Sequence, residues 1–154
     1  MLTINPQVNL QELYEIDDYQ WLLTTIDLLK HNRLHELDIY NLIEELEDWG
    51  SEKRNAVESL LEQVIIHLLL LQFWPEEKEF NAHHWRTEII AFRNQLERKL
   101  KTKTLRNYLN NELDNIYKSA LRYVKQKTNH TVKFPNNCPY TLAELLDFDW
   151  LPKN

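Results

Sequence analysis

An all-α fold is what this sequence predicts, a compact bundle of four or five main helices closed by a short C-terminal helix and a packed tail. Three observations carry that expectation. Gly50 is the only glycine in 154 residues, apolar side chains recur at three- and four-residue intervals, and Pro, Asn and Thr punctuate the stretches between them. Glycine supplies the positive φ that tight hairpins, bulges and phosphate-cradling loops need, so its scarcity argues against strand-rich folds and nucleotide loops. A chain of this length buries about 70% of its unfolded surface, and one domain over residues 1–154 is expected, with 1–13 extended or flexible.

The first helix is expected over Tyr19 to His31. Asp17 and Gln20 stand at capping-box spacing, and Leu22, Ile26 and Leu29 then share a face. His31, Asn32 and Arg33 make the turn. From about Asp38 the residues Leu42, Leu46, Trp49, Ala56, Leu60, Val64, His67 and Leu71 fall on one stripe that keeps its phase across Gly50. This continuity predicts one long helix to about Phe73; the alternative is two helices, with Gly50 as a left-handed stop and Ser51 as the next cap. Pro75 ends the segment in either case.

Trp85, Ile89, Phe92, Leu96 and Leu100 define a helix over His84 to Lys101. Thr102 or Thr104 can cap the next, in which Leu105, Leu109, Leu113, Ile116, Ala120 and Tyr123 line one face to about Gln126. His130 to Pro139 then reads as extended chain broken by Pro135 and Pro139. Thr141 and Glu144 form a second capping box for a short helix, Leu142 to Asp147, and Phe148, Trp150 and Leu151 resemble an apolar latch.

Several function classes are disfavoured at this level. The opening lacks the basic and apolar regions of a signal peptide, and the run from Val64 to Phe73 is about half a bilayer span, so a soluble, cytoplasmic protein is expected with no membrane partner. Cys138 stands alone and makes neither an intrachain disulfide nor a cysteine metal cage. The net charge of −6 is unevenly placed: residues 1–97 hold 19 acids against 7 bases, whereas 98–133 hold 10 bases against Glu112 and Asp114. Such asymmetry neutralises neighbouring helices or steers a partner.

Five phrases also carry a resemblance. They are DDYQWLL with Tyr19, Trp21 and Leu22, ELDIYNLIEELEDWG over 36–50, EQVIIHLLLLQFWP around His67, HWRTEIIAFR over 84–93, and FPNNCPYTLAELLD from Phe134. Together they resemble the bacterial family catalogued as domain of unknown function twenty-nine, from about Tyr14 to Pro152. The resemblance implies a compact helical protein and brings no activity with it. Glu44, Glu45, His67, Trp85, Arg93 and Tyr117 occupy its motif positions. The chain departs from the pattern at Leu70, where the family implies a basic residue, and at Tyr140, where tryptophan is common.

The polar residues on apolar stripes are the candidates for chemistry. His67 lies beside Leu60, Val64 and Leu71, where desolvation disfavours its charged form. Glu112 falls between Leu109 and Ile116, and Arg93, flanking the preceding helix, is its expected partner. Glu44, Glu45, His67, Arg93 and Glu112 are read first as a structural polar cluster. An enzyme centred on Glu45, His67 and Glu112 is the alternative, with a metal only if the bundle gathers them. No cofactor is expected, and no HExxH, phosphate loop or nucleophile elbow is present.

The basic stretch, with Lys118, Arg122 and Lys125 as candidate partner-binding residues, interleaves Tyr108, Tyr117 and Tyr123. Nucleic acid can use such a surface, but helix-core spacing of the tyrosines favours a solvated face or self-association. A small protein-binding or regulatory module is therefore the expected function.

Overall fold

The computed structural model describes residues 9–153. All regular structure among them is helical, in the order α1 (Leu10–Ile16), α2 (Asp18–Lys30), a 3-10 turn (Leu34–Glu36), α3 (Ile39–Phe73), α4 (Pro75–Lys99), α5 (Lys103–Lys127) and α6 (Leu142–Leu146). The chain divides into two compact units, one up to Glu52 and one from Lys53, and α3 runs through the division.

The first unit starts with a helix the sequence did not announce. Residues 10–13 are helical rather than extended, because the Asn9 side chain accepts the Glu12 amide and caps α1, and Leu13 is buried; residues 1–8 of the expected flexible start lie outside the described residues. Asp17 caps α2 by accepting the Gln20 amide. The Gln20 side chain donates to Thr24 instead of returning to Asp17, so only half of the capping box forms.

The buried face of α2 is Trp21, Thr25 and Leu28, not the expected Leu22, Ile26 and Leu29, which are exposed. The reason is a distant polar partner: the Trp21 indole packs edge-on against Tyr14 and donates to Asp38 Oδ2 at 3.1 Å, fixing the helix rotation. At the end of α2, Asn32 takes φ 56°, with Asn32 N bonded to Leu29 O and Arg33 N to Leu28 O. This is a Schellman stop built on asparagine. Asn129 (φ 51°) repeats it after α5, with Asn129 N on Gln126 O and His130 N on Lys125 O.

Gly50 serves no such purpose. It has no positive φ and sits inside the continuous α3, the single long helix that the stripe predicts, not the alternative of two. Replacing Gly50 with Ala is expected to raise stability by up to about 1 kcal/mol, read as a higher denaturant midpoint.

The second unit holds the larger core. Val57, Leu61, Val64, Ile65, Leu68 and Leu69 of α3 meet Trp85, Ile89 and Leu96 of α4 and Leu109, Ile116, Ala120 and Val124 of α5 in one buried cluster. Pro75 both stops α3 and opens α4 as its first residue, so α4 starts nine residues before the expected His84. Toward the end of α5 the buried line passes through Tyr117, Leu121 and Val124, leaving Tyr123 half-exposed rather than on the core face.

The Thr141–Glu144 capping box forms in full and starts α6. Phe134, Tyr140, Leu142 and Leu145 are buried, and Trp150 packs on the same cluster with Tyr140 edge-on at 5.7 Å. Phe148 and Leu151, expected in the latch, are exposed.

Candidate functional site

Within the second unit, the corner between α3 and α4 shapes a recess of about 410 Å³. The proline turn places Trp74 beside Trp85, with ring centroids 6.1 Å apart and planes 18° from parallel. His67 and Leu70 come from α3, Asn81 and His84 from α4, and Tyr123 and Lys127 from α5. Asn81 Nδ2 donates to Glu77 Oε2 at 3.0 Å, and the Lys127 ammonium stands 6.0 Å from the Tyr123 ring centre.

His67 has the environment its stripe predicts. Its Nδ1 lies 2.7 Å from the Gln63 carbonyl, which assigns the proton to that nitrogen and leaves Nε2 as the acceptor. Burial is the largest influence and lowers the imidazole's proton affinity; the Gln63 carbonyl and Glu88 oppose this, and His84 and Lys127 add to it. Burial thus favours the neutral ring. Among the described residues, the recess lining offers no Ser, Thr or Cys hydroxyl or thiol for it to activate. Leu70, the departure from the family pattern, forms part of the wall.

The expected Arg93–Glu112 pair is not made. Arg93 is buried and its guanidinium donates to three tail carbonyls: Nε to Leu145 O at 2.9 Å, Nη1 to Trp150 O at 2.7 Å and Nη2 to Glu144 O at 3.1 Å. Burial lowers its pKa, with Asp147 opposing. Glu112 instead accepts from Asn115 at 3.0 Å, one turn away. The guanidinium carries five donors in a planar fork, enough to serve all three carbonyls at once.

Glu44 and Glu45 belong to the first unit and are exposed. Glu45 accepts the Tyr14 hydroxyl at 2.8 Å, which pushes the phenol up to about 12. No group of three or more His, Cys, Asp or Glu with metal-holding placement occurs among the described residues. Cys138 donates to Tyr140 O, and burial pushes its thiol up, away from nucleophilic character.

On α5, Lys118 and Arg122 are exposed and Lys125 is half-buried. Tyr108 donates to Glu58 and buried Tyr117 to Pro135 O, so of the three interleaved rings Tyr123 alone is half-exposed. Sequence reasoning missed Trp74, Asn81 and Lys127 as recess residues. The Phe-Trp-Pro run at 73–75 is the one local signal that marks the corner.

Fold and site together define an all-α helical protein whose recess residues form no complete catalytic constellation among those described. The chain belongs to the family described as Domain of unknown function DUF29, whose model matches residues 13–151. No curated protein and no solved structure matches it.

Proposed function

We propose that this chain is a small cytoplasmic protein-binding module. The observation that carries the reading is the exposed apolar surface of the first unit: Tyr19, Leu22, Ile26 and Leu29 on α2, and Ile39, Ile43 and Leu46 on α3. Large apolar side chains left exposed on two helices of one small unit are what a binding partner would cover. Charges border them, with Asp18 on α2 and Glu44, Glu47 and Asp48 on α3.

Nucleic acid is the weaker reading, because stacking surfaces need open rings and Tyr117 is buried. By length and composition α3 is apolar enough to cross a bilayer, but half of its most apolar window is buried in the protein, as in a core helix. The His67 recess keeps an enzymatic reading as the competitor.

The test is affinity capture from the native cell with the unaltered chain and with the exposed Leu22 and Ile26 changed to Asp, which should lose the partner, alongside metal analysis and a hydrolase screen. A stoichiometric protein partner whose association slows at high salt is expected, since complementary charge mainly speeds encounter. A stoichiometric metal, or turnover abolished in a folded His67→Ala variant, would replace this reading with the enzyme.

A further inference from the structure

The apolar seam of α3 repeats itself after five helical turns. Eighteen residues bring an α-helix back to the same face, and Ile39, Ile43 and Leu46 stand eighteen residues before Val57, Leu61 and Val64. The later three are 0–1% exposed, whereas the earlier three are 51–53% exposed. One seam is therefore covered in the second unit and bare in the first.

In the second unit the seam lies in a core shared with α4 and α5. Leu109, Ile116, Ala120 and Val124 of α5 pack in the cluster that buries Val57, Leu61 and Val64. Polar contacts flank this packing, from Tyr108 to Glu58 and from Ser119 to Glu62 at 2.6 Å. α5 carries six Lys and Arg against Glu112 and Asp114, while α3 carries seven acids against Lys53 and Arg54. One of the two helices that share this cluster, α5, is a basic amphipathic helix; the other is α4, through Trp85, Ile89 and Leu96.

The bare half has the same character, more strongly. Residues 9–52 hold twelve acids against Lys30 and Arg33, and Glu44 stands eighteen residues before Glu62 on the same face. Deepening the binding-module reading and resting on it, we infer that Ile39, Ile43 and Leu46 receive a cationic amphipathic helix of another protein. Its apolar residues recur at i, i+3 or i+4 and i+7, with Lys and Arg on the flanks.

A second copy of the chain does not fit. Its first unit would bring like charge against like charge, and the apolar face of its α5 is already in its own core. An anionic lipid surface would repel the same acids.

The experiment uses the full chain and an eighteen-residue peptide of Leu and Lys at that spacing. Controls are the same peptide with Glu for Lys, a scrambled Leu/Lys peptide, and vesicles of anionic and of zwitterionic lipid. The expected result is one-to-one binding of the patterned cationic peptide. That binding should weaken at least about tenfold in Ile43→Asp/Leu46→Asp. Charge reversal at Glu44, Glu47 and Asp48 to Lys, which keeps good helix formers at each position, should weaken it comparably at low salt and less at high salt.

Circular dichroism checks that both variants keep their helices, and the second variant stands if the first does not fold. Equal binding of the scrambled peptide would overturn the inference, as would binding indifferent to both variants. So would dimerisation or vesicle uptake through the same residues in place of peptide binding. A cellular partner that still binds both variants would leave the module reading intact and remove this one.

Discussion

Arg93→Met should lower stability by about 3 kcal/mol or more. The substitution fills much of the same volume but removes three charged hydrogen bonds and strands the carbonyls of Glu144, Leu145 and Trp150. Arg93→Lys should fall between, since an ammonium keeps the charge without the fork. Denaturant unfolding monitored by tryptophan fluorescence gives the comparison. Because Glu112 pairs with Asn115, combining Glu112→Leu with Arg93→Met should give additive losses. A coupling above about 0.5 kcal/mol would show that the two side chains meet after all.

Truncation after Phe134 should be more severe still. It deletes the buried Tyr140, Leu142 and Leu145 together with Trp150, and it takes away the Pro135 carbonyl that accepts the Tyr117 hydroxyl. At roughly 1.5 to 3 kcal/mol for each large side chain, the loss matches the whole stability of an ordinary domain, about 5 to 15 kcal/mol. The expected product retains far-UV helicity but loses near-UV ellipticity and a cooperative transition. A truncated chain that melts cooperatively at an unchanged temperature would show the tail to be dispensable. Leu145→Ala, costing about 2 to 5 kcal/mol, provides a milder variant along the same line.

Most helices were legible because their signals are local and periodic. The α3 stripe holds its phase through Gly50, and Thr141 with Glu144 forms the box its spacing predicts. What escaped depended on partners distant in sequence. The rotation of α2 follows from Trp21 reaching Asp38, which no periodicity encodes, and the polar Thr25 on the buried face concealed it. Arg93 was singled out correctly as an unusual cation, but its partners are backbone carbonyls and so leave no trace in residue types. The environment of His67 followed from its stripe, whereas the recess around it needs the proline corner and the end of α5. Pro75 was read only as a stop although the same ring geometry makes it a start.

The anchoring of the tail on Arg93 has a consequence for how the protein is made. Its three bonds join residues 51 to 57 apart in sequence, so the second unit cannot close until residue 150 has left the ribosome. Contacts of the first unit such as Trp21–Asp38 and Tyr14–Glu45 lie wholly within the residues up to Glu52 and become available earlier. Synthesis at about 5 to 20 residues per second separates the two events by roughly 5 to 20 seconds. During that interval the nascent chain carries the apolar residues of α3 from Val57 onward without their later partners, and it is then that chaperone protection matters most.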